Sequence, residues 1–309
     1  MEERRRRILS LVDPARETGI EIGPLARPIV DKAMGAVLYT DHLSTEDLRE
    51  HYRADAEQGR IDLSGLVDVD LVVPTGERLS DRLGPSGPVD YVVASHVIEH
   101  IPDPVGWLGD IAACLRDGGH LCLAVPDKRF IFDHLREPTQ VRELVEWSQT
   151  RPARPTPGQV YDHVQNLAEV DGWAVWQGNA EVRRHRDPGS GLALGMAREA
   201  ATGRFHDVHC TVFTPWSFAL VWTEIMAQGL LPFEFASLDP TRFGDVEFFA
   251  TFRKHADGSA AERVARAPIL DPRAHHELPG PPAPSAPPAP AAPTGVAAWA
   301  ARLRRLRAG

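Results

Sequence analysis

Only three cysteines, Cys114, Cys122 and Cys210, occur in 309 residues, and they are widely separated with no C-x-x-C pair. Neither a disulfide framework nor a thiolate zinc site is therefore expected. Cys122 lies inside an apolar run and reads as a small core residue. No apolar stretch approaches the length that spans a bilayer. The arginines at 4–7 precede only a short apolar patch and then Asp13-Pro14, so no secretory leader is read and the chain reads as cytoplasmic. Positive charge is also in short supply. Lys and Arg number 34 against 43 Asp and Glu, a formal charge of −9, which argues against general nucleic-acid binding through a basic face. The two basic runs, at 4–7 and 302–307, read as solvated helix faces.

What is present is an ordinary buried core: hydrophobic residues make up 43% of the chain, which excludes wholesale disorder. Short apolar runs at 19–22, 37–40, 70–73, 91–94 and 121–125 read as strands of the kind buried inside a parallel sheet. Helical periods fall between them. Ser44 caps a helix through Tyr52, with Asp47 placed as the capping-box acid. Val105, Leu108, Ala112 and Leu115 form one apolar helix face, which is expected to stop at Asp117-Gly118-Gly119. Thr214-Pro215 starts another helix, and 233–238 and 246–253 read as a closing hairpin. The fold class predicted is α/β, a doubly wound Rossmann-like sheet, mostly parallel with a C-terminal antiparallel hairpin. Residues 130–210 break the rhythm and read as an inserted, mainly helical cap on the substrate side. The domain predicted is 1–257. Residues 258–309 read as a Pro/Ala-rich tail that cannot fold alone, with a short basic amphipathic end.

The most informative stretch is Glu21-Ile22-Gly23-Pro24-Leu25. A strand ending in glycine, then a tight loop and a helix, lets backbone N–H groups approach a ligand closely. The G-x-G-x-x-G fingerprint is not met, because Leu25 and Pro28 occupy its second and third glycine positions. That counts against a nicotinamide-dependent oxidoreductase. Asp41 follows the second strand, where a carboxylate can accept both hydroxyls of an adenosine ribose or simply cap the next turn.

The segment from Tyr91 through Ser95-His96-Val97-Ile98-Glu99-His100 to Asp103, with Leu115-Arg116-Asp117-Gly118-Gly119 behind it, resembles class I S-adenosylmethionine-dependent methyltransferases. The likeness is to the small-molecule, type 11-like branch and covers about 19–125. It implies S-adenosylmethionine as cofactor. Glu21, Gly23 and Pro24 would lie beside its methionine part, and Asp41 would hold the ribose. Thr75 and Gly76 would stand near adenine, where the family often has an acid. Ser95 and His96 would line the wall between cofactor and acceptor. The Gly-Pro-Leu form is similar to proteins found beside polysaccharide or secondary-metabolite enzymes, which implies a sugar or natural-product intermediate as small-molecule acceptor.

Candidate acceptor chemistry sits in two places. Asp127 and Arg129 follow the fifth strand, with Arg136 nearby; the arginines could grip an anionic acceptor or belong to an ion-pair cluster. His206 and His209 precede the resumed helix, where a histidine can serve as general base near neutral pH. No third ligand is fixed by spacing, so no metal site is expected. His100 reads as packing beneath the next helix. The tryptophans at 147, 173 and 176 read as anchors of the cap. The alternative to an enzyme is a non-catalytic S-adenosylmethionine-binding or partner protein.

Overall fold

The computed structural model describes residues 2–59 and 61–268. The strands are β1 (Thr18–Ile22), β2 (Ala36–Asp41), β3 (Leu71–Val72), β4 (Val89–Ser95), β5 (Leu115–Pro126), β6 (Ala168–Glu169), β7 (Arg183–Arg184), β8 (Phe233–Asp239) and β9 (Glu247–Lys254). Seven of them form one sheet in the order β3-β2-β1-β4-β5-β9-β8. β1 to β5 run parallel, and β9 pairs antiparallel with both β5 and β8. The Rossmann-like sheet with its closing hairpin is thus present. The order of strand addition reverses between β1 and β4, so the crevice at their carboxyl ends is the topological switch point. The register aligns Ile22 with Thr40 and Ala94, and sets Pro126 opposite Glu247. One edge therefore gathers the ends of β1, β2, β4 and β5 with the start of β9.

The helices are α1 (Glu2–Ile8), α2 (Thr45–His51), α3 (Arg53–Glu57), α4 (Leu79–Leu83), α5 (Pro104–Cys114), α6 (Val141–Thr150), α7 (Pro157–Asn166), α8 (Gly172–Trp176), α9 (Leu192–Ala201), α10 (Pro215–Ala227) and α11 (Ala260–Ala265). Their starts follow local chemistry. Ser44 accepts from the Asp47 N–H at α2, and Thr214 with Pro215 opens α10. Inside the insertion, Thr156, Pro157 and Gln159 build a capping box at α7.

The two faces of the sheet are covered differently. On one, Val92, Leu121, Leu123 and Phe252 meet Leu108 and Ile111 of α5 and Phe218 and Trp222 of α10. Fully burying a side chain of this size contributes about 1.5–3 kcal/mol. On the other, Tyr39, Tyr91, Val93, Ala124 and Phe249 meet Ile8, Leu9, Ile29 and Val30. No helix follows β1, contrary to expectation: residues 23–35 are turns, and α1 with Ile29 and Val30 covers this face. Pro28 disfavours helical backbone at Arg27, and the N–H groups of Ile29 and Val30 go to the Glu21 carboxylate instead of into a helix. Gly19 is required in β1 because a Cβ there would fall 2.0 Å from the Tyr91 ring.

Other expectations also change. α5 ends at Cys114 and β5 begins at once, so Gly118 (φ +79°) serves within β5 rather than as a helix stop. Of the arginines at 4–7 only Arg6 is solvated. Arg7 is buried against Asp239 and Asp245, Arg4 bonds Ser95 and Glu247, and Arg5 donates to the Ile29 carbonyl. The insertion carries α6 to α9 and two short strands, and α8 rests on Phe130 through Trp176. α11 lies within the segment read as unfolded tail; Ser259 caps it, and it packs against α10 and β8. The described residues belong to one compact unit, Met1–Pro279. The Pro/Ala-rich stretch and the basic end at 302–307 lie outside the described residues.

Candidate active site

The loop leaving β1 turns through two left-handed residues, Gly23 at φ +64° and Leu25 at φ +47°. A Cβ on Gly23 would meet the Val97 side chain at 3.4 Å, so the loop lies close against the exit of β4. His96, at that exit, is itself left-handed at φ +55°. Non-glycine residues held in this region store strain, and such strain concentrates at functional sites. Glu21 does not face the crevice. Its carboxylate is 1% exposed and accepts from the N–H groups of Ile29 (2.7 Å) and Val30 (2.8 Å), so it fixes the loop from beneath. Burial pushes this carboxyl up to about 7, against the pull of those two bonds. Pro24 is buried behind the same loop.

Asp41 ends β2 beside this loop. Its Oδ1 accepts from the His42 N–H at 2.7 Å and meets the His42 ring at 2.8 Å. Its Oδ2 makes no hydrogen bond among the described residues. The bond to Asp41 is the main reason His42 is held above the ordinary histidine range. Thr75 and Gly76 are exposed on the loop after β3.

At the β4 exit, Ser95 Oγ accepts from Arg4 at 2.6 Å, and His96 Nε2 lies 2.8 Å from Glu247 Oε2. Arg4 forks onto the same Glu247. Burial opposes ionisation of Glu247, but the His96 and Arg4 contacts outweigh it and hold the carboxyl at about 2.

One turn further along lies a group built from three distant segments. Glu99 and His100 end the short 3-10 turn Ile98–His100, and His209 arrives from the insertion. The segments interlock because the N–H groups of Cys210 and Thr211 donate to the Glu99 carbonyl. His100 and His209 stack edge to face, with centroids 4.7 Å apart. Each ring is oriented through Nδ1 by a carboxylate: His100 by Asp207 at 2.8 Å and His209 by Asp133 at 2.5 Å. Burial opposes the charged form of His100, yet Asp207 and its neighbours raise it overall. His163 accepts from the His209 N–H, and burial followed by Arg136 pushes it down to about 4. It is neutral at pH 7.

The remaining sequence-predicted residues lie elsewhere. Asp127 is fully buried and accepts from Arg129 and from Thr241 Oγ1 at 2.7 Å, so this pair anchors the β5 exit to the β8–β9 connection. Arg136 is 3% exposed between Asp133 and Asp162, not open to an anionic acceptor. Desolvated guanidinium and carboxylate groups persist only when paired, which is why these arginines turned inward. His206 diverges from His209 toward Glu199. Trp147 and Trp176 are buried packing residues, whereas Trp173 is half exposed against Phe243. A cavity of about 490 Å³ opens beside Leu83, Pro88, Leu115 and Lys254, at the amino end of β4 and away from this chemistry. The residues this group gathers that the sequence did not single out as candidate site residues are Glu99, His100, Asp133 and Asp207. A usable signal was the number of acids and histidines flanking His100 and His209; the spacing that joins them was invisible.

A family model described as a methyltransferase domain matches residues 9–177, more than half of the chain. The chain belongs to this methyltransferase family. The family's cofactor is S-adenosylmethionine, and the switch-point crevice of this chain suits that molecule. The unengaged Oδ2 of Asp41 offers a ribose an acceptor, and Gly23 brings backbone close without a side chain. Similar solved structures include a protein described as a Zn-dependent alcohol dehydrogenase from Rhodobacter sphaeroides (15% identity, 83% of this chain and 91% of that one, TM-score 0.44). They also include an O-methyltransferase family protein from Burkholderia thailandensis (12%, 83% and 57%, 0.36). A third is an S-adenosylmethionine-dependent methyltransferase from Mesorhizobium loti (13%, 81% and 96%, 0.38). Likenesses this remote assign no activity. No curated protein matches the chain. Among the described residues no helix is long and apolar enough to cross a membrane.

Proposed function

We propose that this methyltransferase acts in the cytoplasm on a hydroxyl-bearing small molecule, a sugar or natural-product intermediate. Asp41 carries the reading: it is a carboxylate at the carboxyl end of β2 with one oxygen unengaged, beside the Gly23 turn. That supports a ribose seat at Asp41 and an acceptor on the side of His96 and the Glu99–His100–His209 group. Bound, S-adenosylmethionine supplies a methyl group on a sulfonium, open to in-line attack. The protein's own work is alignment and removal of the acceptor's proton. His209, oriented by Asp133, is supported as part of that acceptor face; His206, Asp127 and Arg129 are not. Three buried, unpaired cysteines suit a reducing compartment.

The test is calorimetric titration of the full chain with S-adenosylmethionine and with NADH, then methyl transfer across a panel of sugars and phenolic metabolites. S-adenosylmethionine binding with transfer to a hydroxyl supports the reading. Binding without transfer to any acceptor supports a non-catalytic binding protein instead, and NADH binding alone overturns both.

A further inference from the structure

Glu99 presents an anomaly. Its side chain is buried at 1% exposure, and neither Oε1 nor Oε2 has a hydrogen-bond partner. The nearest cationic candidate, the ring of His96, stands 3.6 Å off and is already bonded to Glu247. A buried carboxylate without partners loses several kcal/mol of hydration and is rarely left so. Beside it, His100 and His209 each have Nδ1 committed to an aspartate, which leaves Nε2 as the nitrogen able to ligate. Glu99, His100 and His209 bring one ligand atom each to within 4.8 Å of one another.

We infer that these three side chains bind a divalent first-row transition ion of the zinc or cobalt kind. Two imidazoles and one carboxylate are the ligands such ions favour, and three protein ligands leave a position open for water or an acceptor oxygen. The surroundings fit. Histidines that ligate metal usually donate their other ring N–H to a carboxylate, and both do so here, to Asp207 and Asp133. Two neutral imidazoles and one carboxylate leave the ion a net positive charge, which suits an oxygen ligand ready to lose its proton.

Ion binding stands on this geometry alone. Only its use rests on the proposed function: the ion would hold the acceptor hydroxyl near the Gly23 turn and lower its pKa, as bound water is activated at such centres. His209 would then act as a ligand and not as the free base.

The experiment is titration of the chelator-treated full chain with Co²⁺, followed by visible absorption and by the melting temperature, without methyl donor or acceptor. One ion per chain is expected, displaced by Zn²⁺. Glu99→Gln, which keeps the side-chain shape, and His209→Asn should each weaken binding at least tenfold, and Asp207→Asn about tenfold through the His100 ring. His51→Ala, on the exposed end of α2, should bind as the unaltered protein does. The inference is overturned if millimolar Co²⁺ gives the unaltered protein neither absorption nor a higher melting temperature. It is equally overturned if Glu99→Gln titrates unchanged. Methyl transfer that survives either result would leave the proposed function standing without the ion.

Discussion

The Arg4 guanidinium forks over the Glu247 carboxylate, Nε to Oε1 at 2.6 Å and Nη2 to Oε2 at 2.9 Å, across 243 positions of sequence. Through this pair α1 is fastened to the carboxyl edge of the sheet, and Ser95 and His96 are held in the same net. Removing one partner leaves a half-buried charge, so Arg4→Met should lower the unfolding free energy by about 1–3 kcal/mol at pH 7. The pH dependence has a definite sign. Glu247 is depressed to about 2 in the folded chain, so its contribution is present above pH 4.5 and lost as pH falls through 2. Urea melts at pH 7 and pH 3 should show the variant clearly less stable at pH 7 and the gap narrowing at pH 3, because Glu247 in the variant is less depressed and has less stability to lose to acid.

Glu21 carries the opposite sign. Burial raises its carboxyl from an ordinary 4.5 to about 7, so the folded chain holds a proton there that the unfolded chain has released. Its contribution is full below pH 4.5 and declines as pH rises to 7, by an amount on the order of 3 kcal/mol at most. Glu21→Gln cannot ionise, and its stability should vary less over this window. Thermal melts at half-unit pH steps check it. A variant curve parallel to that of the unaltered protein would show that Glu21 is ionised throughout.

The difference between Glu21 as imagined and as found shows what the sequence could carry. Strand runs such as 91–94 were legible because both sheet faces are buried and the apolar pattern is local. The helix starts at Ser44 and Thr214 were legible because caps are local as well. Replacement of the first crossover helix by turns was also written locally, in Pro28, but the resemblance to a helical crossover outweighed it. His209 was legible as a candidate, but the group it joins with Glu99 and His100 was not. His209 meets Asp133 across 76 positions and His100 meets Asp207 across 107, and both pairings depend on how the insertion folds back. Asp127, Arg129 and Arg136 misled for the same reason: charge next to a strand end looks alike whether it faces a ligand or a buried partner.

Asp127 separates those two roles by measurement. It is enclosed with Arg129 and Thr241, so Asp127→Asn removes the carboxylate that both side chains meet in a buried setting. Breaking such a pair typically costs about 3–5 kcal/mol. The melting temperature should fall clearly, while the dissociation constant for S-adenosylmethionine, measured below the new transition, should change less than threefold. A stable variant with weakened acceptor binding would restore Asp127 to the site.

Asp41 should behave in the reverse way. Its Oδ1 caps the turn at His42, a role asparagine can keep, whereas Oδ2 is unengaged and belongs to the ribose in the proposed function. Asp41→Asn should therefore melt close to the unaltered protein. Loss of a charge-assisted hydrogen bond of about 1.5–3 kcal/mol should weaken S-adenosylmethionine binding roughly ten- to a hundredfold. His42 supplies an internal control, because its elevated affinity for a proton depends first on the Asp41 carboxylate and should drop toward the ordinary range in the variant. Proton NMR titration of His42 beside calorimetric titration with S-adenosylmethionine reads both effects on one protein. If the His42 titration shifts while cofactor affinity stays the same, Asp41 is a turn cap and the ribose must be held elsewhere.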